Sequence, residues 1–135
     1  MIFKSKKDFN RFLNLHPVAF MLLAQMRLYC FERSIPFRVT STVSTKKEDS
    51  ELNRVSATHR EGRAFDLSLH HWSSFEIKQF TNYFDERYGH FGAIGFNGER
   101  KLIVDHVGTA RHLHIQIDRS YTILEEIKTT FWENE

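Results

Sequence analysis

Two histidines and one aspartate are spaced in this sequence so that they could bind one metal ion. His59 and Asp66 lie in the segment Ala57–Leu67, and His114 follows in the segment His112–Ile117. Imidazole and carboxylate groups are common zinc ligands, and a zinc ion held by three side chains keeps a fourth position open for water. Because the ion lowers the pKa of that water, it can serve as a nucleophile near neutral pH. These residues therefore predict a hydrolase.

Two predicted strands would bring these side chains together. Residues 64–69 and 112–118 alternate apolar and polar side chains, which is typical of strands with one buried face. Asp66 lies on the polar face of the first segment, and His112 and His114 lie on the polar face of the second. If the two strands are neighbours in one sheet, the three side chains converge on one surface.

His59 could reach the same surface through the turn that precedes the first strand. Gly62 lies in that turn and permits a sharp bend of the backbone. The alternative is that the histidines are merely exposed, since eight histidines in 135 residues will place some pairs close together by chance. The combination of His112 and His114 with the upstream segment favours the metal site.

The remaining pattern predicts an α+β fold, a single domain over residues 1–135 with helices packed on a small, mainly antiparallel sheet. The charged segment 45–53 lacks periodicity and is predicted to be a loop, since its acidic residues lack the spacing and glycine of an EF-hand calcium loop. Four helices are predicted. The first is short and capped by Ser5, and the second is long and buried, over residues 18–33, with Pro17 at its first position. The third is capped by Ser73 or Ser74 and ends near Tyr88-Gly89, and the last covers residues 121–132. The other predicted strands are 37–40, 91–96 and 101–105, the last two joined by a turn at Asn97-Gly98.

The composition is that of one globular domain with an aromatic-rich core. Hydrophobic residues make up 41% of the chain, charged residues make up 27%, and 13 residues are phenylalanine. The net charge is only +2 and no basic stripe is interleaved with aromatic residues, so nucleic-acid binding is not expected. Cys30 is the only cysteine, which excludes an intramolecular disulfide.

The chain shows no segment that would send it into or across a membrane. The positively charged start, Met1–Lys7, has no long apolar run beside it and does not resemble a signal peptide. The most apolar run, Val18–Met26, is too short to span a bilayer. We therefore expect a monomer that is synthesised in the cytoplasm and does not insert into a membrane.

Residues 59–66, His-Arg-Glu-Gly-Arg-Ala-Phe-Asp, match the pattern His-x-x-Gly-x-Ala-x-Asp. In this the sequence resembles the D-Ala-D-Ala metallopeptidase family, which includes phage endolysins, cell-wall carboxypeptidases and vancomycin-resistance dipeptidases. With His-Leu-His at residues 112–114, it is also similar to the zinc site of the hedgehog signalling domain, which shares that fold. The resemblance covers about residues 37–118 and implies a hedgehog/DD-peptidase-like fold.

The resemblance also implies roles for individual residues. The family's zinc ligands fall on His59, Asp66 and His114, and His112 falls on a position whose histidine lies beside the metal in hedgehog-like members. The implied cofactor is therefore Zn²⁺.

Three positions depart from the family pattern. Ala57 stands where the family has serine, although Ser56 and Thr58 flank it. No arginine occurs in residues 40–44, where members carry one that grips the substrate, so Lys46, Lys47 or Arg63 would have to replace it. Arg111 stands where the peptidases place the acidic general base, three residues before the last histidine ligand.

Another group must then accept the proton of the attacking water. The candidates are His112, Asp105 and His106, of which His112 shares the predicted metal face and is favoured. Asp105 has the chemistry of a carboxylate base but precedes a loop whose path the sequence does not fix. Arg111 could instead stabilise charge on a tetrahedral intermediate.

The function that the resemblance implies is a zinc peptidase that cleaves peptidoglycan stem or cross-bridge peptides with a metal-activated water. A compact domain without an export signal favours a phage-encoded product that acts on the bacterial cell wall after release or as part of a phage particle. Two alternatives remain, a catalytically inactive zinc-binding module of the same fold and a structural component of a phage particle. Bound zinc would argue against the last, and cleavage of purified peptidoglycan would argue against both.

Overall fold

The structure is a computed structural model that describes residues 2–108 and 110–121. Within these ranges the protein has an α+β fold, as the sequence predicts. The predicted helix over residues 121–132 lies, beyond Tyr121, outside the described residues. The helices are α1 (Lys6–Arg11), α2 (Pro17–Glu32), α3 (Lys46–Glu51) and α4 (Ser74–Tyr88), and the strands are β1 (Val39–Ser41), β2 (Ala64–Ser68), β3 (Ala93–Ile94), β4 (Arg100–Lys101), β5 (Ile103–His106) and β6 (His112–Gln116).

Four of the strands form one antiparallel sheet in the order β1-β2-β6-β5. The first and last strands of the predicted metal site, β2 and β6, are therefore neighbours at the centre of the sheet. Strands β3 and β4 form a separate two-stranded hairpin beside it. The small antiparallel sheet of the prediction is confirmed.

One face of the sheet belongs to the hydrophobic core. Phe65 and Leu67 of β2 and Leu113 and Ile115 of β6 are fully buried, as the alternation predicts. Helices α2 and α4 contribute side chains to the same cluster, and the ring centroids of Tyr29 and Phe80 lie 5.4 Å apart. Burying this face leaves the opposite face of β2 and β6 free to carry polar side chains.

Helices α1, α2 and α4 begin where the sequence predicts. The Ser5 side chain accepts a hydrogen bond from the backbone N–H of Asp8 at the start of α1, and Pro17 is the first residue of α2. Helix α4 begins with a capping box in which Ser73 and Glu76 each bond to the other's backbone N–H. These local bonds fix the points at which the chain enters each helix.

The prediction of a loop over residues 45–53 is wrong, because Lys46–Glu51 forms α3. Thr45 and Glu48 make a capping box that satisfies two backbone N–H groups at its start. Glu48 also accepts hydrogen bonds from Lys7 and Arg11, which lower its pKa to about 2. The short helix is thus stabilised by its cap and by ion pairs rather than by an apolar face.

The predicted strand over residues 101–105 is divided in the structure. Leu102 is buried between β4 and β5, and its carbonyl oxygen accepts a hydrogen bond from the Gln116 N–H. As a result β4 pairs with β3 while β5 pairs with β6. The turn at Asn97-Gly98 does join β3 and β4, although the loop between them spans five residues, 95–99.

Cys30 is fully buried in α2, and burial raises the pKa of its thiol to about 12, which keeps it un-ionised and unreactive. Among the described helices, none is both long and apolar enough to cross a membrane.

Candidate metal centre

The pairing of β2 with β6 places the acidic and basic residues of the site opposite one another. Asp66 pairs with His114, and Ser68 pairs with His112, so these side chains project from the same face of the sheet. On the far side of β6, His106 of β5 pairs with His112. The convergence predicted from strand alternation is therefore present in the folded chain.

His59, Asp66 and His114 form a compact group of candidate ligands. One ligand atom from each residue lies within 4.8 Å of the others. His59 Nε2 is 3.1 Å from Asp66 Oδ1, and His114 Nδ1 is 2.9 Å from the same oxygen. Two imidazole nitrogens and one carboxylate oxygen thus point toward a common centre, which is the donor set that zinc accepts.

The hydrogen bonds of His59 leave a position for a proton or a metal ion between its ring and Asp66. Its Nδ1 lies 2.7 Å from the carbonyl oxygen of Thr42. Because a carbonyl oxygen can only accept, Nδ1 carries the hydrogen, and Nε2 of the neutral ring presents a lone pair to the carboxylate of Asp66. Two acceptors facing one another are stable only with a proton or a metal ion between them. In metal-binding histidines, the ring nitrogen that does not bind the metal commonly donates a hydrogen bond to a carbonyl oxygen, which fixes the orientation of the ring.

Asp66 is held as a carboxylate anion despite its burial. Its side chain is almost fully buried, and burial opposes ionisation. When the two rings are protonated, their hydrogen bonds and their positive charge outweigh this and lower the pKa of Asp66 well below its usual value. When the rings are neutral, the same carboxylate could accept a metal ion in place of these protons.

The three candidate ligands lie at the floor of an open cleft of about 550 Å³. One wall is the segment that follows α3, where the side chains of Leu52 and Val55 are largely exposed. The other wall is formed by Val104 and His106 of β5.

His112 faces the same cleft, in an orientation that leaves one ring nitrogen free. Its Nδ1 lies 3.0 Å from the carbonyl oxygen of Ala110 and therefore carries a hydrogen. Its Nε2 is 3.9 Å from Asp66 Oδ2, on the side of the metal centre. The ring of His106 stacks on that of His112 with centroids 4.8 Å apart. Burial and the charges of His112 and His114 lower the pKa of His106.

Asp105 is not brought to the metal centre. It pairs with Leu113 in the sheet, and this register places it on the face opposite Asp66, His112 and His114. Arg111 holds both of its carboxylate oxygens, with N–O distances of 3.1 and 2.6 Å, and this hydrogen bonding lowers the pKa of Asp105. Neither residue lines the cleft.

Arg54 lines the cleft and was not found by sequence reasoning. Its Nη2 is 3.8 Å from Asp66 Oδ2 and donates a hydrogen bond to Ser41 Oγ, while Nη1 contacts Asp49. Lys46 and Lys47, which the sequence offered as substrate-gripping cations, do not line this cleft. Arg54 escaped notice because it lies in an irregular segment, where no periodicity indicates the direction of a side chain.

A hydroxyl next to Ala57, the position where the family pattern has serine, lies beside His114. Thr58 Oγ1 lies 3.4 Å from His114 Nε2, and Ser56 donates a hydrogen bond to Thr58. Thr58 thereby holds the ring nitrogen of His114 that points away from the centre. The sequence signal for this role was the hydroxyl adjacent to His59.

Gly62 makes the turn that returns His59 to the sheet. Its φ is +70°, and a Cβ at this position would lie 2.8 Å from the carbonyl oxygen of Asn14. Its N–H bonds to the carbonyl of His59, and its own carbonyl accepts from His16 at the start of α2. The turn therefore requires glycine for both its conformation and its packing, as the sequence predicts.

No protein-family model matches this chain, and neither the curated proteins nor the solved structures contain a significant match. The case for a metal centre accordingly depends on the geometry of the candidate residues.

Proposed function

We propose that this protein is a zinc-dependent peptidase that cleaves stem or cross-bridge peptides of peptidoglycan, with a hedgehog/DD-peptidase-like fold. One observation carries the proposal: Asp66 lies opposite His114 in register, and His59 meets them at the floor of an open cleft. The similarity of residues 59–66 to the D-Ala-D-Ala metallopeptidase pattern supports the choice of substrate.

The ligand set leaves room for catalysis. Two neutral imidazoles and one carboxylate do not cancel the charge of Zn²⁺, and three protein ligands leave a position open. When bound, zinc supplies a Lewis acid that acidifies water and polarises a carbonyl group. The acidic side chain at the floor is fixed by two ring nitrogens, so the centre need not rearrange to accept the ion.

His112 is the group that accepts a proton. Its Nε2 carries the lone pair and faces the centre, because Nδ1 donates to the carbonyl of Ala110. A neutral imidazole so oriented takes a proton at Nε2 and returns it to the leaving amine. Stacking of His106 against the ring holds it in place without competing for that nitrogen.

Arg54 orients the substrate. Its guanidinium is fixed by Ser41 and Asp49 and lies beside the floor of the cleft. A guanidinium at this position donates to a peptide carbonyl oxygen and stabilises negative charge that develops on it. Arg54 thus takes the place of the arginine that residues 40–44 lack.

A second candidate is a zinc-binding module without catalytic activity. It is favoured by one observation, the pairing of Arg111 with Asp105 on the face turned away from the cleft. With this arrangement no carboxylate other than Asp66 lines the cleft among the described residues, so proton transfer depends on imidazole alone.

The decisive experiment is digestion of purified peptidoglycan, followed by mass spectrometry of the released fragments. The zinc-loaded protein is expected to release peptides cut at one type of bond. A chelator should stop the release and added zinc should restore it, while circular dichroism confirms that the metal-free protein is still folded. Asp66→Asn is the matched variant, since it keeps the shape of the side chain and removes its charge.

Two outcomes would decide against the peptidase. Stoichiometric zinc without any released fragment would establish the inactive module. Fragments that appear equally with chelator and with Asp66→Asn would show that the cleavage does not depend on this metal centre.

A further inference from the structure

The cleft continues beyond the metal centre into a second cavity of about 450 Å³. We call this second cavity the outer compartment. It shares Ser56, Thr58 and Gln116 with the cleft, so a ligand lying along the floor passes from one into the other. Its far wall is the loop of the β3–β4 hairpin, which carries Phe96. The two cavities form one continuous groove.

Among the described residues, the groups in and beside the outer compartment carry an excess of positive charge. Glu61 Oε1 accepts a hydrogen bond from Arg63 Nη2 and another from Arg119 Nη2, each at 2.9 Å. Beside them, Arg100 lies 3.9 Å from Asp118. Of these five groups, Arg63, Arg119 and Asp118 line the compartment, so two guanidinium groups face one carboxylate there. Because the Arg119 side chain is 73% exposed, its remaining N–H groups are open to a ligand.

Arg63, one of these guanidinium groups, is largely buried. Its side chain is only 11% exposed, and its Nε is buried without a hydrogen-bond partner among the described residues. A buried guanidinium nitrogen without a partner carries a desolvation cost that no hydrogen bond offsets. A negative charge in the compartment would offset part of that cost through its attraction to the guanidinium.

The hairpin wall is apolar and open to solvent. Phe96 is 100% exposed and Ile94 is 53% exposed. Two exposed apolar side chains at the edge of a groove offer a ligand apolar surface to bury. The compartment therefore combines an apolar wall with a cationic floor.

We propose that the outer compartment binds a carboxylate-bearing segment of a peptide, with the carboxylate on Arg119 and the adjoining apolar part of the segment against Phe96. This inference rests on the proposed function for the identity of the peptide as a peptidoglycan stem peptide. Recognition of a carboxylate at one end of the groove fixes which part of the stem peptide crosses the metal centre.

Calorimetric binding to the zinc-loaded protein tests this without relying on turnover. The probes are a synthetic stem peptide with free carboxylates, the same peptide amidated at its C-terminus, and the same peptide amidated at its acidic side chain. Amidation of the carboxylate that occupies the compartment should weaken binding about fivefold, as expected for one partly exposed charged hydrogen bond. The other amide should bind like the parent, which identifies the source of the carboxylate.

Two variants locate the effect. Arg119→Gln should weaken binding of the parent peptide about fivefold and remove the discrimination against the amide. Phe96→Ala should weaken binding of all three peptides equally. The controls are Lys47→Gln, which makes the same change of net charge at an 86% exposed side chain, and Phe31→Ala, which removes a 68% exposed phenylalanine from α2.

The outcomes separate this inference from the proposed function. If both amides bind as the parent does and Arg119→Gln has no effect, the outer compartment does not bind a carboxylate. If the discrimination is present but none of the three peptides is cleaved, the compartment is confirmed as a binding site and the peptidase is rejected.

Discussion

Among the described residues, histidine rings lie close together in two regions: the cleft, where His106 and His112 stack beside the pair His59 and His114, and the turn after β2, where His70 and His71 form a second pair. His59 and His114 have ring centroids 5.0 Å apart and share the carboxylate of Asp66. His70 and His71 are closer still, at 3.8 Å, but both are exposed. The cavity beside the second pair has no carboxylate among its described lining residues and contains Arg111 instead.

The difference shows why only the first pair is a candidate metal site. Closeness of the rings is not sufficient, because two imidazoles alone give a zinc ion neither a third protein ligand nor any negative charge. Asp66 supplies that charge because the sheet register places it opposite His114, and the carbonyl of Thr42 fixes which nitrogen of His59 faces it. The exposed pair has neither constraint, and the Arg111 side chain in its cavity offers a cation no ligand atom.

The largest expected difference between the two histidine pairs is in zinc affinity. Asp66→Ala should lower zinc affinity more than about 100-fold, because it removes a ligand that also orients the two others. The double variant His70→Ala/His71→Ala should bind one zinc with unchanged affinity. Competition with a chromophoric chelator at constant pH measures both affinities.

Either of two outcomes would contradict this prediction. Loss of zinc from the double variant would place a metal at the exposed pair. Retention of zinc by Asp66→Ala, in protein that remains folded by circular dichroism, would show that the buried group is a hydrogen-bonded core cluster.

Turnover should distinguish two residues that the sequence offered as the base. His112 faces the cleft and Asp105 faces away, so His112→Ala should lower the rate of peptide cleavage about 100-fold or more while zinc remains bound. Asp105→Asn should change the rate less than about twofold, since the residue has only an exposed ion pair with Arg111 to lose.

The measurement is the rate of fragment release per zinc-loaded molecule. Equal rates for wild type and His112→Ala would remove His112 from the mechanism. A large loss in Asp105→Asn would require the segment around Arg111 to rearrange when substrate binds.

Much of the metal centre follows from the sequence because it depends on alternation. The period of two in 64–69 and 112–118 places Asp66 and His114 on the polar faces, and the same rule applied to Ile103 and Asp105 excludes Asp105 from that face. The sequence did not predict this exclusion, because it depends on the start of β5 after the buried Leu102. Where a strand ends is decided by tertiary packing, which local pattern does not contain.

Irregular segments were the least predictable part of the chain. Arg54 and the hairpin loop of Phe96 have no periodic neighbours, so nothing in the sequence indicates the direction of their side chains. Helix α3 is a different case, since the capping box of Thr45 and Glu48 was visible in the sequence. It was missed because a helix without an apolar face has no hydrophobic period to reveal it.

The smallest expected effects concern two glycines, one near each histidine pair. Gly62 supports the turn of His59 and has φ +70°, whereas Gly108 lines the cavity beside the exposed pair and has open space around its Cα. Gly62→Ala should lower the free energy of unfolding by about 2 kcal/mol, because alanine is strained at this φ and its Cβ would meet the carbonyl of Asn14. Gly108→Ala should change it by less than about 0.5 kcal/mol.

Urea unfolding of the zinc-free proteins measures both effects, and the same samples report zinc affinity. Since Gly62 holds His59 in reach of Asp66, Gly62→Ala should also weaken zinc binding, whereas Gly108→Ala should leave it unchanged. A loss of stability in Gly62→Ala without any loss of zinc affinity would mean that His59 reaches the centre independently of its turn. The contrast between the two pairs would then rest on the carboxylate of Asp66 alone.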